Sequence, residues 1–139
     1  MITYKTTKDI DPQKVLALYE SDGWKSYLKE DFDIGTMLSN SYMVYSAWDE
    51  ERLIGLIRTV GDGVSIQYIQ DILVHEDYRN QKIGYALFRY ILEASSHIRT
   101  LALMTNDTIE NEPIKQWYKK VGLKTFQETG VIGYCRFEP

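Results

Sequence analysis

A short polar and basic segment stands between a predicted strand and a predicted helix, and its residue types suit anion binding. It carries Arg79 and Lys82, and Gly84 follows in the first turn of the helix. A helix N-terminus presents backbone N–H groups without intrahelical partners and the positive end of the helix dipole. Because glycine has no side chain, Gly84 would let a bulky anion approach that turn. The segment therefore predicts a site for phosphate or pyrophosphate.

The spacing of these residues differs from two common phosphate-binding fingerprints. The sequence contains neither Gly-x-x-x-x-Gly-Lys-Ser/Thr nor Gly-x-Gly-x-x-Gly after a strand. It has instead Arg79-x-Gln81-x-x-Gly84-x-Ala86. A second segment follows after one predicted strand, and it reads Asn111-x-x-Ile114-x-x-Trp117-Tyr118-Lys119-Lys120-Val121-Gly122-Leu123.

The elements that must position these residues follow from capping residues and from the period of the apolar positions. Asp11 and Pro12 are typical of a helix start. An Asp side chain can accept hydrogen bonds from the first N–H groups of a helix, and the N–H group that Pro lacks would have no partner within the helix at that position. After Lys82 the apolar period changes to about 3.6 residues, which is the period of a helix. The predicted helices are Pro12 to Asp22, Asp31–Leu38, Lys82–Ala94 and Pro113 to Gly122. The predicted strands are Ile2–Tyr4, Tyr42–Trp48, Leu53–Val60, Val64–Val74, Arg99–Met104, Lys124–Gln127 and Val131–Phe137.

The longest of these strands is predicted to be central. One face would carry the apolar side chains of Val64, Ile66, Tyr68, Ile72 and Val74. The other face carries Ile69 and Leu73, so we expect both faces to be covered. Antiparallel hairpins combined with one strand–helix–strand unit predict an α+β or mixed α/β fold.

The two segments resemble the signatures of the GNAT-type N-acetyltransferases. Those signatures are Arg/Gln-x-x-Gly-x-Gly/Ala after a strand ending in Val, and Asn-x-x-Ala-x-x-Phe-Tyr-x-x-x-Gly-Phe. The sequence departs from them at four positions, Ala86 for Gly, Ile114 for Ala, Trp117 for Phe and Leu123 for Phe. The element order fits the family over nearly the whole chain. The resemblance implies one domain over residues 1–139, with a mixed twisted sheet of about seven strands flanked by about four helices.

The resemblance also implies acetyl-CoA as cosubstrate and direct transfer of its acetyl group to an amine. The residues that it places against acetyl-CoA come from the strand end, the basic segment and the second signature. They are Ile72, Leu73, Val74, Arg79, Asn80, Gln81, Lys82, Ile83, Gly84, Tyr85, Ala86, Asn111 and Tyr118.

Three chemical tasks follow from that reaction. The developing oxyanion needs a donor, which the family supplies from a backbone N–H, here around Ile72–Val74. The leaving thiolate needs a proton, and the resemblance assigns this to Tyr118. Tyr118 would otherwise be part of the apolar face of its helix. The resemblance does not assign the base that deprotonates the amine, because Tyr68 stands where some family members carry Glu. The candidates are Asp71, Gln70 and ordered water.

The family builds its acceptor pocket from the first two helices, their connecting loop and the last hairpin. In this sequence the first of these regions holds the rings of Trp24, Tyr27 and Phe32 and the carboxylates of Asp22, Glu30, Asp31 and Asp33. With Tyr68 and Gln70 of the long strand, they would bind a small cationic amine through cation–π contact and charge pairing. The alternative is that the rings are core residues and the acids a solvated face.

Composition excludes several other classes. The 139 residues include 16 basic and 20 acidic side chains, a formal charge of −4 that disfavours nucleic acid and anionic membranes as partners. No apolar run spans a bilayer and no secretory signal is visible, which favours the cytoplasm. The sequence has two separated histidines and one cysteine, so we do not expect a metal site. Cys135 is expected to be a small buried hydrophobe on the last strand rather than a nucleophile.

Alternative functions remain open. The chain could be a non-catalytic acyl-CoA-binding module, or an acetyltransferase acting on protein lysines or N-terminal amines. An unrelated nucleotide-binding domain would prefer ATP to CoA. Homodimers are common in the family, so a homodimer is possible.

Overall fold

The computed structural model describes residues 1–24, 26–29 and 32–137. The chain forms two compact units, Met1–Leu103 and Met104–Pro139. Within the described residues, the first unit contains a five-stranded sheet with three α-helices, and the second contains one α-helix.

The sheet of the first unit has its strands in sequence order. They are β1 (Ile2–Lys5), β2 (Met43–Asp49), β3 (Arg52–Gly61), β4 (Ile66–Val74) and β5 (Thr100–Leu103). Neighbours from β1 to β4 are antiparallel, whereas β5 runs parallel to β4. A parallel neighbour requires a crossover connection, and a helix supplies it between these two strands. The predicted mixed sheet is confirmed.

The helices begin close to the predicted caps. They are α1 (Pro12–Ser21), α2 (Ile34–Ser39), α3 (Ile83–Ala94) and, in the second unit, α4 (Glu112–Lys120). The Asp11 carboxylate accepts a hydrogen bond from the N–H of Gln13 at 2.9 Å, and this caps α1. Asp33 caps α2 in the same way by accepting from the N–H of Thr36 at 3.0 Å. Asp31, the predicted start of α2, lies outside the described residues.

Helices cover both faces of this sheet. Val44 of β2 belongs to a buried apolar cluster that includes residues of α1 and α2. The next residue, Tyr45, stacks on Tyr90 of α3 with ring centroids 3.9 Å apart. Because successive side chains of a strand point to opposite faces, α3 lies on the face opposite α1 and α2.

Four residues of β4 are buried, and they lie on both faces of the sheet. The fully buried residues are Gln67, Ile69, Asp71 and Leu73, while the residues between them are partly or fully exposed. Val64, predicted to be in the strand, precedes it and is exposed. Ile69 pairs with Thr59 and Asp71 pairs with Arg58, and consecutive residues such as Arg58 and Thr59 point to opposite faces. Gln67 and Ile69 therefore lie on one face, and Asp71 and Leu73 lie on the other. Each face thus buries one polar side chain, where an unpaired polar group would be costly.

An irregularity in β4 lies where its pairing with β5 ends. Asp71 pairs with Arg58 and Ile69 pairs with Thr59, so Gln70 has no register partner on β3 and forms a bulge. On the other side, β5 pairs with β4 only as far as Ile69. The segment from the bulge to the end of β4 is therefore not paired with β5.

The last two predicted strands are wrong, and within the described residues the sheet has five strands rather than about seven. Residues Gln127–Thr129 form a 3-10 helix. The N–H of Glu128 donates to the Thr125 hydroxyl at 3.2 Å, and the Glu128 carboxylate accepts from the N–H of Thr125 at 3.1 Å. This reciprocal pair is the capping box that a Thr-x-x-Glu sequence forms at a helix start.

The segment predicted as the final strand, 131–137, has no regular secondary structure. Its apolar side chains are exposed, including Ile132 and Phe137. Cys135 is exposed as well. The expectation that this cysteine is a buried small hydrophobe is therefore wrong, because the alternating pattern on which it depended does not form a strand.

Gly61 provides a stability test of the first unit. Its φ is 150°, and an added Cβ would lie 2.2 Å from the backbone oxygen of Ile66. We expect Gly61→Ala to lower the free energy of unfolding by about 3 kcal/mol or more, measured by urea denaturation. Gly23→Ala is the control, since φ is 76° there but an added Cβ meets nothing within 4 Å. It should cost only about 1 kcal/mol, and equal losses in the two variants would contradict the structure.

Candidate functional site

The segment that joins β4 to α3 has an unusual backbone. Asn80 and Lys82 adopt left-handed conformations with φ of 67° and 63°. Lys82 is the N-cap of α3 and makes no side-chain cap hydrogen bond, while its carbonyl accepts from the N–H of Ala86 at 3.0 Å. A left-handed residue followed by a right-handed one directs successive N–H groups into a common concavity, which binds anions. The start of α3 therefore has a backbone shape that suits an anion, and the phosphate site stays a prediction.

Gly84 lies at the second residue of α3, and packing does not require a glycine there. An added Cβ would meet the Cγ2 of Val74 at 3.8 Å, which is an ordinary van der Waals contact. A glycine in a helix is less favourable than alanine, so its presence needs another reason. The predicted approach of an anion to the first turn would supply such a reason.

Two pairs of side chains anchor this segment to the turn between β2 and β3. The hydroxyl of Tyr78 donates to the Asp49 carboxylate at 2.6 Å. That bond raises the pKa of Tyr78 and lowers the pKa of Asp49. Arg52 Nη2 lies 3.0 Å from His75 Nε2. None of the four was predicted as a site residue, because the two partners of each pair are far apart in the chain.

Arg79, the basic residue in this segment, points toward α1. Its Nη2 forms an ion pair with Asp22, and its Nε donates to the carbonyl of Val74 at 3.3 Å. The Asp22 carboxylate also accepts from the indole N–H of Trp24 at 2.7 Å. One carboxylate thus contacts a predicted cofactor-binding residue and a predicted acceptor-binding residue.

The backbone of β4 supplies the second part of the site. Residues Ile72, Leu73 and Val74 follow the bulge and pair with β3 on one side. In an antiparallel pair the N–H groups of successive residues alternate between facing the partner strand and facing away. Because β5 ends its pairing at Ile69, the outward groups of this segment are directed where β5 no longer pairs. An extended molecule with amide groups could pair along that side.

A buried ion pair lies next to the bulge. Arg58 Nε donates to Asp71 Oδ2 at 2.8 Å, and the Asp71 side chain is fully buried. The hydroxyls of Tyr19 and Tyr27 donate to the same carboxylate at 2.7 and 3.1 Å. Burial raises the pKa of both tyrosines, and the neighbouring Asp71 charge raises each further. These contacts suit Asp71 to fixing the position of Tyr27 rather than to taking a proton from a substrate.

Several predicted acceptor residues lie together in an aromatic cluster. The ring of Tyr27 lies 4.9 Å from Tyr19, 6.0 Å from Trp24 and 4.8 Å from Phe32, measured between centroids. Gln70 Nε2 reaches the Tyr27 hydroxyl at 3.4 Å. The cluster is therefore in contact with the bulge of β4. Tyr19 was not among the predicted acceptor residues.

Other predicted acceptor residues lie elsewhere or outside the described part. Glu30 and Asp31 are outside the described residues. Asp33 is used as the cap of α2. Tyr68 pairs within the sheet with Val60 and Ala102 and is partly exposed.

The second unit contains the remaining predicted site residues. Asn111 is the N-cap of α4, but its side chain does not cap the helix. Its Nδ2 donates instead to Thr105 Oγ1 and to the carbonyl of Asn106, at 2.8 and 2.6 Å. Tyr118 is partly buried, and its burial raises its pKa. It therefore keeps its proton at neutral pH and above, as a hydrogen-bond donor or acid must.

The conformation of Lys82 bears on how the family signature aligns. The pattern Arg/Gln-x-x-Gly-x-Gly/Ala fits Gln81-x-x-Gly84-x-Ala86, and it also fits Arg79-x-x-Lys82-x-Gly84 with lysine in place of the first glycine. Glycine adopts a left-handed backbone more readily than any other residue, so the structure favours the second alignment. A lysine gives no signal of a left-handed backbone, so this alignment could not be predicted from the sequence.

The described part of the chain contains neither a metal-binding cluster nor a membrane-spanning helix. No group of three or more His, Cys, Asp or Glu side chains there could hold a metal ion. None of the helices described is long and apolar enough to cross a membrane.

The sequence and the fold were compared with known proteins. The family model of the GNAT acetyltransferase domain matches residues 40–125. A GNAT family acetyltransferase from Streptococcus pneumoniae TIGR4 is 30% identical, with a TM-score of 0.83 and coverage of 99% of this chain and 98% of that chain. None of the curated proteins matches the sequence.

More distant solved structures share the fold alone. A protein of unknown function from methicillin-resistant Staphylococcus aureus is 20% identical, with a TM-score of 0.75 over 99% of this chain and 100% of that one. An aminoglycoside acetyltransferase from an uncultured soil metagenomic sample is 15% identical, with a TM-score of 0.75 over 100% and 99%. The domain match and the pneumococcal relative, which covers nearly the whole chain, show that this protein belongs to the GNAT acetyltransferase family.

Proposed function

We propose that this protein transfers the acetyl group of acetyl-CoA directly to a primary amine of a small cationic or aromatic acceptor. The observation that carries the proposal is the combination of a bulged β4, unpaired with β5 beyond Ile69, and an α3 whose start is free of a side-chain cap. The first can align an amide-bearing chain and the second can hold its diphosphate.

The residues present fit acetyl-CoA. The first N–H groups of α3 would bind the diphosphate, with added charge from Arg79 and Lys82. The N–H groups of Ile72–Val74 that face away from β3 would orient the thioester carbonyl and stabilise negative charge on its oxygen. Acetyl-CoA would supply the activated acetyl group.

The proton balance assigns roles to the remaining residues. An alkylammonium acceptor must first lose a proton, and ordered water beside Gln70 and Tyr27 is our assignment for that step, because Asp71 is buried and hydrogen-bonded. The amine nitrogen then bonds to the acetyl carbon as the carbon–sulfur bond breaks, and the nitrogen releases its second proton to water. The Tyr118 hydroxyl gives a proton to the thiolate, and water restores that proton.

Thiol release from acetyl-CoA, measured across polyamines, arylalkylamines, amino acids and peptides, tests the proposal. We expect turnover with small amines that carry positive charge. Turnover with peptides alone would favour the protein acetyltransferase alternative. CoA binding without thiol release from any acceptor would favour a non-catalytic module.

Replacing Tyr118 by Phe tests whether its hydroxyl gives a proton to the leaving thiolate. The variant keeps the ring and loses the hydroxyl, so we expect kcat to fall about 100-fold or more, with acetyl-CoA affinity nearly unchanged. Tyr134→Phe is the control, because Tyr134 lies in the same unit and is 90% exposed. Steady-state kinetics and calorimetric titration measure the two quantities. An unchanged kcat in Tyr118→Phe would refute the assignment.

Replacing Gly84 by Ala tests the phosphate site. The new methyl group fits beside Val74, so we expect the free energy of unfolding to be unchanged or up to about 1 kcal/mol higher. The methyl group would displace a diphosphate from the first turn, and CoA affinity should fall about tenfold or more.

A matched control exists for this substitution. Gly35 occupies the second residue of α2, and an added Cβ there would meet Asp33 Oδ1 at an ordinary 3.5 Å. Gly35→Ala should leave CoA affinity as in the wild type. Unchanged CoA affinity in Gly84→Ala would place the diphosphate elsewhere.

A further inference from the structure

The contacts of Asp22 link the two ligand sites of the proposed reaction. The carboxylate is 23% exposed and lies just after α1. One oxygen pairs with Arg79 of the β4–α3 segment, and the other accepts from the Trp24 indole. Trp24 contacts the ring of Tyr27, which in turn contacts Gln70 at the bulge. Contacts therefore run without a break from Arg79 of the β4–α3 segment to the bulge of β4.

The pairing of Arg79 with Asp22 competes with the binding of phosphate by Arg79. The Arg79 side chain is 48% exposed, and exposed ion pairs contribute little to stability. A diphosphate offers a guanidinium stronger, charge-assisted hydrogen bonds, which can be bidentate. A diphosphate bound at the start of α3 would therefore draw Arg79 away from Asp22.

A freed Asp22 would be a cation site beside the aromatic cluster. The amine that reacts must be neutral and must lie about 3–3.5 Å from the acetyl carbon. The cation that Asp22 attracts is consequently a second, non-reacting group of the acceptor. An acceptor with two or more amines satisfies both requirements, and the faces of nearby rings add cation–π attraction.

We propose that Asp22 binds the distal cationic group of a polyamine-like acceptor. Arg79 stays paired with the Asp22 carboxylate until the diphosphate of the cofactor binds. This inference rests on the proposed function, because it uses the same cofactor site. It makes acceptor binding depend on prior cofactor binding. Since binding couplings are reciprocal, a bound acceptor must tighten cofactor binding by the same factor.

Calorimetric titration of the full-length chain with spermidine, with and without saturating CoA, tests the inference. In the wild type we expect CoA to tighten spermidine binding about fivefold or more, and butylamine, with one charge, to show no such effect. Asp22→Asn should bind CoA at least as tightly as the wild type and lose the coupling. Arg79→Gln should bind spermidine without CoA as tightly as the CoA-saturated wild type does.

Glu93→Gln is the matched control, because Glu93 pairs with Arg89 on the exposed side of α3 at 2.9 Å and takes no part in the site. It should retain the wild-type coupling. Equal spermidine affinity with and without CoA, no spermidine binding in either state, or unchanged coupling in Asp22→Asn would each overturn the inference while CoA binding stands. A wild-type chain that does not bind CoA would overturn the proposed function along with it.

Discussion

The buried ion pair of Arg58 and Asp71 is the interaction on which the geometry of the first unit depends. It joins β3 to β4 at the bulge, where the pairing of β4 with β5 stops. A buried charge without its partner is strongly destabilising, so each of these side chains requires the other. Asp71 also accepts hydrogen bonds from the hydroxyls of Tyr19 of α1 and of Tyr27, which connects α1 and the segment around Tyr27 to β4. One carboxylate thus fixes an aromatic ring relative to the backbone groups that would orient a thioester.

Much of the fold follows from local sequence signals. Asp11 and Pro12 specify the start of α1 because capping involves neighbours in the chain. The apolar period after Lys82 gives α3 to within one residue for the same reason. The strand predicted at Lys124–Gln127 does not form, because Thr125 and Glu128 form a capping box, a competing local signal that alternation does not reveal.

The site is less accessible to sequence reasoning than the elements that carry it. The loop residues and Gly84 could be found, since they are consecutive and lie between a strand and a helix. The bulge at Gln70 depends on the register of β3 and β4, which no local pattern encodes. The pairing of Arg79 with Asp22 joins residues 57 positions apart in the chain. Such contacts are set by tertiary packing, and only the structure displays them.

The left-handed conformation of Lys82 has a consequence for recognising relatives of this protein. A non-glycine residue in that conformation costs roughly 1–2 kcal/mol, and at Lys82 it places a positive charge where the proposed diphosphate site begins. A short signature that requires glycine at this position will overlook chains that reach the same backbone shape with a long basic side chain. Searching by dihedral angle, with the amino-acid type left unspecified, would recover them.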